Sequence, residues 1–388
     1  MSSSIQRFYS IADLRSHAKK RLPKAIFDFF DGGAEDELTL QRNVKAFQEK
    51  RFIPQVLNDV SQIDYSAPML GGPSAMPCAI APTGAVGFGW PKGDIAIAKA
   101  AAIFNIPYCL STTATASIEQ IAKDAPGRHW FQAYILKNQD FFNQLVQRAQ
   151  DADYEALMIT VDLPVGGKRE RDFRNDFKIP FHLTLRNLMD FSSRPLWALP
   201  MLFRGIPELE NLIGLDSQSA TKQNLGSSVG KNYDPSFNWE RLQRIRDQWP
   251  RKLIIKGVLN PEDAMRLVKM GCDAIVVSNH GGRQLDGVIA TLDALPNIAK
   301  AVNQAIPVYI DGGIRRGGDI VKAIASGADG VLIGRATLYG AIAAGEEGAH
   351  HALAILQDEL KRTMQLCGVS NIQEIHHSLL DKSPSGMN

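Results

Sequence analysis

The stretch PVYIDGGIRRGGDIVKAIASGADGVLIGRA, residues 307 to 336, contains the kinds of segment that decide the fold. Its short apolar runs at 307–313 and 330–336 have the length of buried strands. Between them, GGDIVKAIASG places apolar residues near the spacing of one helical face. The stretch is therefore predicted to form a strand, a helix and a second strand of one parallel sheet.

The same alternation starts at residue 78 and produces eight apolar runs. These runs are at 78–83, 107–112, 129–135, 156–162, 252–258, 274–279, 307–313 and 330–336. Amphipathic stretches such as NPEDAMRLVKM lie between them. Eight pairs of strand and helix predict an α/β fold built as a closed (β/α)₈ TIM barrel.

The whole chain, residues 1–388, is expected to be a single domain in which the barrel occupies 77–366. Residues 1–76 are expected to form an N-terminal helical segment, where SIADLRSHAKKRLPKAIFDFF predicts one or two helices, suited to a lid or to a cap under the barrel. About ninety residues separate the fourth and fifth runs, far more than an ordinary connection. We therefore predict a long insertion between strands 4 and 5.

Composition places the chain among soluble globular proteins, with 45% hydrophobic and 22% charged residues. The net charge of +2 argues against a nucleic-acid partner bound through a strongly basic surface. The four cysteines show no CxxC spacing, and the N-terminus lacks the apolar core of a signal peptide. A reducing cytoplasmic environment is expected, with neither disulfides nor a metal site.

Polar residues close the apolar runs, and in such barrels the active site lies at the C-terminal ends of the strands. They are Thr83, Ser111, Gln132, Tyr134, Thr160, Asp162, Lys256, Ser278, His280, Arg283, Asp311 and Arg335. Any one of them alone is explained as a hydrogen-bonded residue at a strand end. The full set indicates an active site.

Glycines and arginines cluster in the loops after the last two runs, within residues 311–336. Glycines allow backbone N–H groups to approach an anion, and arginines add positive charge. These loops predict a phosphorylated ligand. The alternative is that the glycines serve tight turns and the arginines lie on the surface.

Several motifs together resemble the FMN-dependent L-2-hydroxy acid dehydrogenase and oxidase family, and most closely its membrane-associated mandelate and lactate dehydrogenase branch. They are LPKAIFDFFDGGAED (22–36), IAPTG (80–84), WFQAY (130–134), TVDLP (160–164), KRERD (168–172), IIKGV (254–258), SNHGGRQLD (278–286) and DGGIRRGGD (311–319). The match follows the same order over nearly the whole chain. Membership implies a TIM barrel that binds FMN and oxidises a small 2-hydroxy acid.

The resemblance implies catalytic roles that fit the chemistry of such an oxidation. A base must remove a proton, and a cation must hold the carboxylate. His280 is expected to be the base, and Asp162 to orient its ring and stabilise its charge. Arg283, helped by Arg169, is expected to bind the substrate carboxylate through paired hydrogen bonds. Tyr134 is expected to hydrogen-bond the substrate hydroxyl.

The resemblance also implies which residues hold the cofactor. Lys256 is expected beside the flavin pyrimidine, where its charge stabilises the anionic reduced ring. The expected FMN contacts are Pro82, Thr83, Gly84, Ser111, Gln132, Thr160, Lys256, Ser278, Asp311, Gly313, Arg315, Gly334 and Arg335.

Two positions depart from the family pattern. Phe29 stands where many relatives carry a tyrosine that reaches the substrate carboxylate, so one donor is missing. Activity is expected to survive with weaker substrate binding unless a neighbouring group substitutes. Thr113 stands where glycolate oxidase has a tryptophan, which predicts a roomier pocket that favours lactate or mandelate over glycolate.

Residues 177–215, within the predicted insertion, mix aromatic and aliphatic residues with arginines. The uncharged runs within this segment are too short to span a bilayer. Its composition instead suits a position in the membrane interface. It is similar to the segment that attaches the mandelate dehydrogenase branch to the bacterial inner membrane. We expect attachment at the cytoplasmic face, a quinone as electron acceptor, and a homotetramer or a multiple of it. The alternative is a segment folded on its own barrel or on a neighbouring subunit.

Three other functions compete with a membrane-associated dehydrogenase. A soluble FMN-dependent oxidase would release hydrogen peroxide. A non-redox FMN barrel, such as a flavin-dependent isomerase, shares the phosphate loops but does not explain His280, Arg283 and Asp162 together. A non-catalytic membrane protein would not require these residues at all.

Overall fold

The computed structural model describes residues 4–177, 184–215 and 231–381. Its eight parallel strands close into a barrel in chain order, which confirms the predicted fold. The strands are β1 (Cys78–Ile80), β2 (Tyr108–Ser111), β3 (His129–Tyr134), β4 (Ala156–Thr160), β5 (Lys252–Val258), β6 (Ala274–Val277), β7 (Val308–Ile310) and β8 (Gly330–Ile333).

The barrel closes where β1 pairs with β8, with Cys78 opposite Val331 and Ile80 opposite Ile333. Nearly every strand residue is buried because helices cover the outside and side chains fill the interior. At the N-terminal end of the interior, Trp130 stacks on Tyr309 with ring centroids 6.2 Å apart. The Tyr309 hydroxyl accepts a hydrogen bond from the backbone N–H of Leu70 at 2.6 Å, so the loop before β1 closes this end. All four cysteines are buried and unpaired.

Fourteen α-helices lie in the described ranges, and side chains of Ser or Asn cap the N-termini of several of them. They are α1 (Ile11–Arg21), α2 (Lys24–Asp31), α3 (Leu38–Glu49), α4 (Gly93–Ile103), α5 (Ile118–Asp124), α6 (Gln139–Asp151), α7 (Glu170–Arg174), α8 (Leu185–Ser192), α9 (Pro195–Arg204), α10 (Trp239–Gln248), α11 (Pro261–Lys269), α12 (Thr291–Val302), α13 (Gly317–Ala325) and α14 (Arg335–Cys367).

The predicted insertion lies between β4 and β5 and contains α7 to α10. Of the segment 177–215, residues 178–183 lie outside the described part of the chain. The remainder forms α8, α9 and a short 3-10 turn at Glu210–Leu212. Among the helices in the described ranges, none combines the length and apolarity needed to cross a membrane.

Candidate active site

A cavity at the C-terminal ends of the strands gathers most of the predicted site residues. Those that line it are Phe29, Pro82, Thr83, Gly84, Thr113, Gln132, Tyr134, Thr160, Arg169, Lys256, His280, Arg283, Asp311, Gly313, Arg315, Gly334 and Arg335. Ser111, Asp162 and Ser278 do not line it. They lie behind the wall and hydrogen-bond to residues that do.

The His280 imidazole is held from both sides. Its Nδ1 lies 2.9 Å from Asp162 Oδ1, and its Nε2 lies 3.4 Å from the Tyr134 hydroxyl. Burial raises the pKa of the Asp162 carboxyl, but the opposing charge and hydrogen bond of His280 outweigh it, so the net pKa is lowered. The carboxylate is therefore ionised at neutral pH. It fixes the ring orientation and leaves Nε2 directed at the cavity, the arrangement required of a general base.

Backbone conformation brings these groups together. His280, Gly281 and Gly282 have φ of 56°, 62° and 75°, in the left-handed region that favours glycine. A Cβ on Gly282 would lie 2.6 Å from the backbone of Leu40, so glycine is required there. The turn lets the side chains of His280 and Arg283 both project into one cavity. At Gly281 a Cβ would meet only Arg335 Nη1, at 3.0 Å, so the strict steric requirement for glycine falls on Gly282.

Gly257 explains how Asp162 reaches the histidine. Its φ is 107°, and a Cβ at this position would lie 2.6 Å from Cβ of Asp162. The glycine in β5 thus leaves the space that Asp162 occupies after β4.

Three arginines concentrate positive charge at the mouth of the barrel. Arg283 Nη1 donates to the carbonyl oxygens of Phe29 at 2.8 Å and Gly32 at 2.9 Å, at the C-terminal end of α2. Burial, together with the charges of Arg169 and Arg335, lowers the pKa of Arg283 to about 9. The guanidinium remains charged at neutral pH, and an anion bound here would relieve the mutual repulsion.

Buried polar atoms without a partner mark the barrel centre. Among the described residues, Gln132 Nε2, Thr160 Oγ1 and Asp311 Oδ1 have no hydrogen-bond partner. Lys256 Nζ lies 3.0 Å from Asp311 Oδ2 and 2.8 Å from Ser278 Oγ. Burial lowers the pKa of Lys256, but the charges of Asp311 and Asp162 outweigh it, so the net pKa is raised. Leaving such atoms unpaired is costly, so a polar ligand is expected to contact them.

The glycine-rich loops after β7 and β8 form the other end of the cavity, which Gly313, Arg315, Gly334 and Arg335 all line. Arg335 was predicted to contact the cofactor, but its guanidinium also makes several hydrogen bonds to the protein backbone. It donates to the carbonyl oxygens of Phe30, Gly281 and Gly32 at 3.0, 3.0 and 2.8 Å. Arg335 therefore also links α2 to the turn that carries His280.

The cavity includes residues that the sequence alone did not single out. Tyr233 and Leu209 come from the insertion, and Leu163 follows β4. Leu163 lies within the motif TVDLP but was not assigned a role, whereas the placement of Tyr233 and Leu209 depends on how the insertion folds back on the barrel. Thr113 packs tightly on Gly84, where an added Cβ would lie 2.1 Å from Thr113 Oγ1.

Comparisons with known proteins agree with the motifs. A family model for FMN-dependent dehydrogenases matches residues 18–382. (S)-Mandelate dehydrogenase of Pseudomonas putida is 41% identical over 370 residues, which cover 95% of this chain and 93% of that protein. An L-lactate dehydrogenase of Caulobacter sp. (strain K31) is 40% identical over 375 residues, which cover 96% and 98%. A crystal structure of the monotopic membrane protein (S)-mandelate dehydrogenase matches with a TM-score of 0.92 and 41% identity, covering 97% of this chain and 100% of that one.

Proposed function

The chain belongs to the FMN-dependent dehydrogenase family, and we propose that it oxidises a mandelate-like or lactate-like L-2-hydroxy acid to the 2-oxo acid at a membrane surface. The observation that carries this proposal is that His280, paired with Asp162 at 2.9 Å behind the wall, lines the same cavity as Arg283. His280 and Arg283 can then contact the hydroxyl end and the carboxylate end of one small substrate.

FMN fits the residues that are present. When bound, FMN supplies a ring that accepts two electrons from the substrate. The unpaired atoms of Gln132 and Thr160, with Lys256, suit the polar edge of that ring, and the free oxygen of Asp311 suits a hydroxyl of the ribityl chain. Backbone N–H groups at 313–314 and 334–335, with the side chains of Arg315 and Arg335, suit the phosphate.

The residues of the chain are assigned to proton transfer, charge stabilisation and substrate binding. Oxidation removes two protons and two electrons from the substrate. We assign His280 Nε2 to take a proton, which it must do whether the Cα hydrogen leaves as a hydride or as a proton. The Asp162 carboxylate stabilises the imidazolium that forms, and Tyr134 hydrogen-bonds the substrate oxygen. Arg283 and Arg169 hold the carboxylate and so fix which enantiomer presents its hydroxyl to His280.

Anaerobic reduction of the bound flavin tests this proposal. L-lactate and L-mandelate are expected to bleach its visible absorption, and the D-enantiomers are expected to leave it oxidised. A larger response to mandelate than to glycolate would agree with the small residues Thr113 and Gly84 in the wall. If no 2-hydroxy acid reduces the flavin, the proposed activity is wrong.

Helices α8 and α9 support the membrane part of the proposal. One side of this segment is attached to the body: Trp197 is buried and donates to the carbonyl oxygen of Phe88 at 2.7 Å, and the Asp190 carboxylate accepts from the backbone N–H groups of Lys24 and Ala25. The other side presents apolar residues to solvent, namely Leu188, Met189, Leu196, Leu199, Leu202, Phe203 and Ile206. An apolar surface of this kind suits the lipid interface.

The double variant Leu202→Gln, Phe203→Gln is expected to move the protein from the membrane fraction to the soluble fraction without lowering its rate of flavin reduction. Both side chains are more than three-quarters exposed, at 77% and 82%, so their loss leaves the core intact. A matched control is Val56→Gln, Leu57→Gln, an equally exposed apolar pair outside the segment. If the wild-type protein is soluble, or if the control releases it equally, attachment through α8 and α9 is wrong.

The proposed acceptor is a membrane quinone at the cytoplasmic face of the bacterial inner membrane. Attachment to the membrane places the reduced flavin near the quinone pool. In the presence of substrate and air, quinone-analogue reduction is expected to exceed peroxide release. Dominant peroxide release would instead identify the oxidase alternative.

A further inference from the structure

We infer that the Tyr233 hydroxyl hydrogen-bonds the substrate carboxylate and supplies the donor that Phe29 lacks. The inference rests on the proposed function and adds a substrate-binding residue from the insertion to it.

Tyr233 is positioned by a short stretch of antiparallel pairing. The Lys137 N–H donates to the Asn232 carbonyl oxygen at 2.8 Å, and the Asp234 N–H donates to the Ile135 carbonyl oxygen at 3.0 Å. This pairing places Tyr233 opposite Leu136, just past the end of β3. The Tyr233 ring therefore packs on Tyr134, with centroids 5.1 Å apart, and lines the cavity.

The Tyr233 hydroxyl has no hydrogen-bond partner among the described residues, although its ring is largely enclosed. Burial raises the pKa of the phenol well above its ordinary value, so it is a neutral donor at every physiological pH. A tyrosine hydroxyl in such a setting usually finds a partner. Because the ring lines the cavity, that partner is expected to be a ligand.

The surrounding charges identify the end of the substrate that Tyr233 meets. Tyr233 lines the same cavity as Arg169 and Arg283. Arg169 and Arg283 each lie 5.4 Å from the centroid of the Phe29 ring. Both guanidinium groups are thus close to the Phe29 ring. Phe29 offers no donor to an anion held by the two arginines, whereas Tyr233 does.

A double-mutant cycle between positions 233 and 29 tests the inference. Tyr233→Phe is expected to raise the dissociation constant of L-mandelate, measured by anaerobic flavin reduction, by about tenfold or more, the effect of one lost hydrogen bond to a charged group. The limiting reduction rate should stay within about twofold, because the interaction with the carboxylate is the same before and after the chemical step. Phe29→Tyr should restore affinity in the Tyr233→Phe background and change the wild type little.

A second measurement separates binding from catalysis. Calorimetric binding of the 2-oxo acid should weaken by the same factor in Tyr233→Phe. Tyr154→Phe is the matched control, since this buried phenol donates to the Ile118 carbonyl oxygen at 3.0 Å outside the cavity. It should lower thermal stability and leave the dissociation constants unchanged.

A comparison of 2-hydroxy acids with different side chains shows which end of the substrate the Tyr233 hydroxyl contacts. L-Lactate, L-mandelate and 4-hydroxymandelate should lose affinity for Tyr233→Phe by similar factors. A loss confined to 4-hydroxymandelate would place the hydroxyl against the substrate side chain and overturn the inference, as would unchanged binding of all three. In both cases a wild-type flavin that is still reduced by these acids would leave the proposed function intact.

Discussion

His280→Gln is expected to slow reduction of the bound flavin by L-2-hydroxy acids by about 10²- to 10⁴-fold, the range for removal of a general base. Glutamine is similar in length to histidine but accepts no proton at neutral pH. The Asp162 carboxylate, 2.9 Å from Nδ1, would lose a titratable partner but retain a donor in the glutamine amide. Stopped-flow absorbance under anaerobic conditions measures the rate.

The control for this prediction is cofactor retention. None of the predicted phosphate contacts involves the His280 imidazole, so the variant should purify with a normal flavin content. Asp162→Asn should show a smaller loss than His280→Gln, because it weakens the stabilisation of the imidazolium without removing the base. If His280→Gln reduces its flavin at the wild-type rate, another group acts as the base.

The barrel could be predicted because the period of the apolar pattern and the length of each apolar run distinguish strands from helices locally. The predicted runs extend beyond the strands, however. The run at 78–83 becomes a strand only at Cys78–Ile80, and the run at 274–279 ends as a strand at Val277. The backbone leaves the sheet at these points because the following residues line or support the cavity. Apolar pattern alone does not distinguish a strand residue from the wall of a site that follows it.

Most of the predicted residues at or near strand ends line one cavity, whereas the cavity residues that the later part of the insertion contributes were not predicted. Lys256 lies within β5, Asp311 directly follows β7, and His280 comes three residues after β6, so topology brings them together. Ser111 and Ser278 were predicted as cofactor contacts but lie behind the wall, a distinction that depends on which way each side chain points. Tyr233 lies about seventy residues beyond β4, and only the folded insertion places it beside Tyr134.

Arg283→Met is expected to lower kcat/KM for L-mandelate by about 10³-fold. Removing one partner of a buried, hydrogen-bonded charge pair costs about 2–5 kcal/mol, and about 1.4 kcal/mol corresponds to tenfold. Arg283→Lys should lose less, because it keeps the charge while giving up the planar pair of donors. Steady-state kinetics with a dye acceptor measures both variants.

Arg283 also donates to the Phe29 and Gly32 carbonyl oxygens, so the loss of activity has two possible causes: a missing carboxylate anchor or a loosened α2. Arg15→Met separates them, since Arg15 pairs with Asp31 of the same helix at 2.6 Å but does not line the cavity. It should lower thermal stability while changing kcat/KM by less than about threefold. If Arg15→Met and Arg283→Met lose activity equally, Arg283 acts by holding α2 in place, and the substrate carboxylate must be bound by Arg169 instead.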